Sequence, residues 1–268
     1  MISHLHSLPK LGRLTLGKLG QSTLFTTRIE RKGKEKTPTT INLNRYILNY
    51  KAIPYRTEWI EYPDIEPHSI KLNINPTGKK PDGSPFYTLP AIHDPSTGTS
   101  LADSFLIAEY LEDTYPTTPS IFPHGTKSLQ DAFQFLLGGE RIGFLRSFLL
   151  PMVLPKLGTQ RSEEYFRRTK EISLGGPLVV PVGAERAEQM TKLRQVMNKV
   201  DECLAKTDSK GPFVMGDTIS WADFYISAYL MWLKTVWGED SEEWKDVVSW
   251  NGGRWENLLR AVGNQTVN

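Results

Sequence analysis

Only one cysteine, Cys203, occurs in the chain, so no disulfide can close within it and a reducing compartment is the expected setting. No apolar run is long enough to cross a bilayer. The most apolar region, Phe144 to Leu157, is broken by Arg146, Pro151, Pro155 and Lys156. Neither sign of charge dominates, with 32 Lys+Arg against 30 Asp+Glu, which removes the general electrostatic reason to expect a nucleic-acid partner. No Gly-x-Gly-x-x-Gly, P-loop or nucleophile-elbow pattern is present, so dehydrogenase, nucleotide-binding and hydrolase readings have no support. Histidines are sparse: His4 and His6 form a lone pair, and His68, His93 and His124 stand isolated. That is too few for a metal centre, and none is expected.

What is present reads as one large or two ordinary soluble domains, 39% hydrophobic and 23% charged over 268 residues. Residues 1–36 differ from the rest. Up to Ile29 they carry Lys10, Arg13, Lys18 and Arg28 and no acid, which is transit-peptide composition and would send the protein to mitochondria. Pro9 and several glycines make a poor helix there, so a solvated extension on a cytoplasmic protein is the expected reading and mitochondrial targeting the alternative. Within it, Thr23 to Ile29 alternates in the strand sense and can supply a first strand. Leu43, Tyr46, Ile47 and Tyr50 then recur at helical spacing, bounded by Pro54. Tyr55 to Tyr62 reads as a strand ended by Pro63, and Asp64 to Pro85, rich in proline and glycine, as an irregular connection with at most a short helix.

The most informative stretch runs from Tyr87 to Glu112. A short apolar run contains Pro90, which forbids an ordinary central strand. Asp94-Pro95-Ser96-Thr97-Gly98 is turn chemistry, Thr99 to Leu101 returns as a strand, and Asp103 and Ser104 open a helix. Beyond it, Tyr115 to Gly125 holds Pro116, Pro119 and Pro123 and reads as a linker between residues 37–114 and 126–268. The second part is helical in pattern. Ser162 with Glu163 and Glu164 starts one helix, Gly175 to Gly183 breaks the run, and Ala184 to Ala205 is amphipathic with Cys203 in a packing position. Ser220 and Asp223, three apart at the head of an apolar helix, have the spacing of a capping box, with Ile219 placed to staple onto Phe224. Trp232, Trp237, Trp244, Trp250 and Trp255 are expected in the core or as lids over a ligand cleft that would suit flat aromatic molecules.

The segment from Asn49 through Ala52-Ile53-Pro54-Tyr55 to Glu61-Tyr62-Pro63-Asp64-Ile65 resembles the fungal etherase-related glutathione transferases, the FuA class, and more remotely the bacterial lignin β-etherases. Pro81-Asp82-Gly83-Ser84-Pro85-Phe86-Tyr87-Thr88-Leu89-Pro90, the Asp103-Ser104 pair and the capping box continue the likeness, which runs from about Ile41 onward. The resemblance implies an α/β plus all-α architecture, a thioredoxin-like domain followed by a helical glutathione-transferase domain, with glutathione held in the groove between them. It implies that Pro90 is cis and exposes the Leu89 main chain to the tripeptide, and that Asp103 and Ser104 hold its γ-glutamyl end. It also implies an aromatic electrophile or phenolic compound as second ligand, a homodimer, and activity in detoxification or ether cleavage.

The class places a serine in a Ser-Pro-Asn-Thr-Trp-Lys segment to lower the thiol pKa. Here the chain reads Thr37-Pro38-Thr39-Thr40-Ile41-Asn42. Either one of Thr37, Thr39 and Thr40, or the amide of Asn42, donates to the sulfur, or these residues only cap the helix and the protein is a non-catalytic, ligandin-type carrier. A β-branched donor rotates less freely than serine, so even the first alternative predicts slow chemistry.

Overall fold

The computed structural model describes residues 21–27, 43–207 and 211–266. Strand β1 (Ser22–Thr26) supplies the first strand expected within Thr23 to Ile29, but it is buried along its whole length, covered on both faces, where alternation alone would leave one face to solvent. Helix α1 (Leu43–Tyr50) leads to β2 (Tyr55–Trp59), which pairs parallel with β1 in register Ser22↔Tyr55. The strand expected to reach Tyr62 stops at Trp59, because Pro63 fixes its own φ and opens a single 3-10 turn, Tyr62–Asp64. The connection after it is more ordered than its composition suggests. It contains α2 (Ile65–Lys71) and a small hairpin of β3 (Gly78–Lys79) and β4 (Pro85–Phe86). Strands β5 (Ala91–Asp94) and β6 (Thr99–Ala102) complete the four-stranded sheet in the order β2-β1-β5-β6, and α3 (Ser104–Thr114) follows.

The remainder is helical: α4 (Lys127–Phe135), a π-turn at Leu136–Arg141, α5 (Leu145–Val153), α6 (Gln160–Leu174), α7 (Gly183–Leu204), α8 (Trp221–Trp237), α9 (Glu242–Ser249) and α10 (Arg254–Thr266). Eleven of the seventeen residues of α8 are buried, so it is the helix around which the others pack. At Gly138 a Cβ would lie 2.1 Å from the Tyr225 hydroxyl, so a larger residue would have to displace that phenol for the π-turn to rest on α8. Two local expectations are corrected. Helix α6 begins before Ser162, because the Thr159 hydroxyl accepts from the Ser162 amide at 3.2 Å and caps it two residues early. Cys203 is exposed rather than packed: its neighbour Leu204 turns inward and the thiol points out.

One hydrophobic core, from Leu24 to Val262, spans both halves. Tyr46 and Tyr50 on α1 lie against Phe224 of α8, with ring centroids 6.4 and 5.4 Å apart. The proline-rich connection is tied down, with Ile121 and Phe122 buried and the Ile121 carbonyl accepting from Trp221 N at 2.8 Å. Lys51, fully buried, donates to Glu112 at 2.8 Å and to the Pro119 carbonyl at 3.0 Å, so its burial is compensated. A second seam fixes α6 beside the Tyr62–Asp64 turn. Glu61 accepts from Thr159 and Ser162, and Arg161 grips Asp64 with two hydrogen bonds of 2.6 and 2.7 Å.

Candidate functional site

The pairing of β5 with β6 decides where the site lies. Ala91 stands opposite Ala102, so the two residues before Ala91 and the two after Ala102 leave the ladder at the same end of the sheet. Those residues are Leu89–Pro90 and Asp103–Ser104. The Leu89–Pro90 bond is cis. Leu89 rests its side chain on the small cluster formed by Phe25, Ile60, Ile74, Ala91 and Ala102, and among the described residues its amide and carbonyl have no backbone partner. A main-chain edge in that condition can accept an extended peptide as though it were a further strand.

Asp103 is the N-cap of α3. Its Oδ1 accepts from Phe105 N at 2.9 Å and Leu106 N at 3.1 Å, and its backbone sits at φ 84°, a conformation that a non-glycine residue adopts only when its surroundings hold it there. Asn44 of α1 donates to the Ser104 carbonyl at 3.1 Å and locks the turn from behind. The Ser104 amide and hydroxyl make no hydrogen bond among the described residues, and the residue is half-exposed. A hydroxyl and an amide at the positive end of an eleven-residue helix are a seat for a carboxylate.

Next to Leu89 opens a cleft of about 450 Å³, walled on one side by the Tyr62 turn, α2, the β3–β4 hairpin and Thr88–Leu89, and on the other by Tyr165, Thr169 and Lys170 of α6. Tyr165, Thr169 and Ile172 are spaced four and three apart, so a single face of α6 closes the cleft. The cleft's rings are Tyr62, Phe86, Tyr87 and Tyr165. Tyr62 packs edge-on against Phe166 at 4.9 Å, and burial raises its pKa against a hydrogen bond with Thr27, so the phenol stays protonated. A larger hollow of about 680 Å³ lies among Glu164, Arg167, Arg168 and Glu171 and includes neither Leu89 nor Ser104.

The comparisons with known proteins agree with this geometry. Residues 44–114 match the glutathione S-transferase N-terminal domain and residues 128–264 the glutathione S-transferase C-terminal domain. The chain belongs to the glutathione S-transferase family. It is 32% identical over 231 residues to the glutathione S-transferase-like protein ustS of Aspergillus flavus, covering 81% of this chain and 80% of that one. A glutathione S-transferase of Ceriporiopsis subvermispora, solved in complex with glutathione, is 37% identical with a TM-score of 0.84, over 93% of this chain and 99% of the other. The glutathione transferase GSTFuA2 of Phanerochaete chrysosporium is 37% identical with a TM-score of 0.83, over 92% and 99%.

This glutathione S-transferase family member thus brings Leu89, Pro90, Asp103 and Ser104 to one sheet end, while Thr37, Thr39, Thr40 and Asn42 lie outside the described residues. The tryptophans do not line the cleft. Trp244, Trp250 and Trp255 are buried in the helical core, the first of the two places expected for them, and the rings over the cleft are tyrosine and phenylalanine. Tyr62, Tyr165 and Lys170 were not singled out from the sequence. A helical stripe of Tyr165, Thr169 and Ile172 carries no signal of its own until α6 is known to face the sheet end. Among the described residues no group of three or more His, Cys, Asp and Glu could hold a metal ion.

Proposed function

We propose that this protein is a glutathione-dependent transferase that seats the tripeptide at the sheet end and a flat aromatic or phenolic partner in the cleft beside it. The observation that carries this reading is the unpartnered Ser104 amide and hydroxyl at the head of α3, on the same sheet end as the unpartnered main chain of Leu89. These groups fit glutathione. Ser104 can donate twice to the γ-glutamyl carboxylate, and Leu89 can exchange N–H and C=O with the central peptide unit. Glutathione, when bound, supplies a thiolate nucleophile. The chain's own residues bind and orient: the α3 tip fixes one end of the tripeptide, and the rings of Tyr62, Phe86 and Tyr165 exclude water from the second ligand. A donor from Thr37, Thr39, Thr40 or Asn42 holds the sulfur ionised. Ether cleavage of wood-derived phenolics and conjugation of aromatic xenobiotics are both compatible with such a cleft.

Retention on immobilised glutathione, followed by an assay with an activated aromatic electrophile, tests the reading. Ser104→Ala should weaken retention about tenfold, the value of one charge-assisted hydrogen bond. Retention with turnover supports the transferase. Retention without turnover assigns the chain to the carrier function instead, which the replacement of the class's serine by Thr37-Pro38-Thr39-Thr40 favours. Failure to be retained at all rejects both.

A further inference from the structure

The cleft carries a cation that its own walls do not neutralise. Lys170 follows Phe166 by one turn on α6, and its ammonium lies 5.5 Å from the centre of that ring, which in turn packs on Tyr62. The charge is therefore held against aromatic surface at the wall instead of extending into water. The other charges lining the cleft are accounted for. Lys80 pairs with Glu66 at 2.8 Å, Asp82 accepts from both the amide and the hydroxyl of Ser84, and Lys79 is exposed on the hairpin rim. Three lysines thus face two carboxylates, both already engaged, and no carboxylate among the described residues lies within ion-pair distance of Lys170. Burial, helped by the neighbouring Arg146, lowers the pKa of Lys170, the mark of a cation that lacks a counter-charge.

We propose that Lys170 anchors the anionic group of a flat aromatic ligand, a carboxylate or an ionised phenol, so that the second ligand of this cleft is an aromatic anion and not a neutral hydrophobe. The rings of Tyr62, Phe86 and Tyr165 take the flat body, and the ammonium takes the charge. This deepens the transferase reading and rests on it only in naming the ligand a second substrate.

Calorimetric titration of the full chain with 2-naphthoate and 2-naphthamide, which share one ring system and differ in charge, tests the assignment. Wild type is expected to bind the carboxylate about tenfold more tightly, the size of one charge-assisted contact in a half-buried site. Lys170→Met should abolish that preference while leaving naphthamide binding within about twofold, which also reports that the variant is folded. Lys170→Arg should keep the preference. Equal affinities in wild type, failure of both compounds to bind, or a preference that survives Lys170→Met would each overturn the proposal. So would loss of glutathione affinity in Lys170→Met with the naphthoate preference unchanged, which would give the lysine to a tripeptide carboxylate. A wild type that prefers naphthoate yet ignores glutathione would reject the transferase reading and leave this one standing.

Discussion

At the start of α8 every backbone donor of the first turn has a partner inside the protein, whereas at the start of α3 the first donor has none. Trp221 N reaches the Ile121 carbonyl at 2.8 Å, Ala222 N the Gln130 side chain at 2.9 Å, and Asp223 N the Ser220 carbonyl at 3.1 Å. The Asp223 carboxylate then takes the Ser220 amide and hydroxyl and, across the preceding loop, the Val214 amide at 2.7 Å. At α3 a single oxygen of Asp103 takes Phe105 N and Leu106 N, and Ser104 is left over. Both helix starts use an aspartate, Asp103 as the N-cap of α3 and Asp223 three residues after the Ser220 N-cap of α8, yet Ser220 and Asp223 are fully buried while Asp103 is exposed. Capping chemistry alone does not mark a ligand site. Burial decides whether the helix tip serves the fold or stays available to a carboxylate from outside.

The sharpest way to break this contrast is to remove both caps and compare. Asp223→Ala leaves the buried Ser220 amide and the partly buried Val214 amide without an acceptor, and we expect a loss of about 2–6 kcal/mol, from about 1–3 for each orphaned group. Asp103→Ala, at an exposed cap, should cost about 1–2 kcal/mol. Urea denaturation midpoints at constant slope measure both, and equal losses would erase the distinction. Next in size is Gln130→Ala, which orphans only the Ala222 amide and should cost about 1–3 kcal/mol in the same experiment. Its retention of wild-type stability would mean that α4 does not help to close the α8 tip.

A pH series sharpens the comparison further. Burial raises the Asp223 carboxyl from its ordinary 3.8 to about 6, against the hydrogen bonds that favour its charge. Between those values the folded protein holds a proton that the unfolded chain has released. The stability this group contributes is therefore complete below about pH 4, is lost as the pH rises through about 6, and is constant above. The stability of wild type relative to Asp223→Asn should decline over that interval and then level off. A difference that stays flat with pH would show that the carboxyl ionises as readily in the folded state as in the unfolded, and one that rises with pH that it ionises more readily when folded.

The same contrast explains what could be read from the sequence and what could not. Ser220 and Asp223 are three residues apart, and Asp103 and Ser104 are adjacent, so both helix starts were legible from local spacing. The first strand, Ser22 to Thr26, and the helix over Leu43 to Tyr50 were equally local matters of strand and helix period, whereas the cis Leu89–Pro90 bond was expected only from the family resemblance. The groups that separate the two tips are distant. Gln130 lies 92 residues from Ala222, and Asn44 lies 60 from Ser104. The cleft was illegible for the same reason, since Tyr62 and Tyr165 meet only after Glu61 and Asp64 have docked α6 through Thr159, Ser162 and Arg161. Sequence periodicity says that α6 has faces, and only that docking says which of them looks at Leu89.

The smallest expected effect separates two contributions that coincide at Asp103. The residue supplies a cap oxygen and also occupies φ 84°, where a Cβ is strained. Asp103→Gly loses the oxygen but relieves the backbone, and a glycine in place of an N-cap aspartate costs only a few tenths of a kcal/mol, so its stability should lie within about 0.5 kcal/mol of wild type. Asp103→Ala loses the oxygen and keeps the strain, so it should be the less stable of the two by about 1 kcal/mol. If both variants unfold at one denaturant concentration, the positive φ relaxes once the carboxylate is gone, and the geometry of the α3 tip is set by the cap. If glycine is the more stable, the sheet end imposes that geometry, and Ser104 stays aimed outward whether or not Asp103 holds the turn.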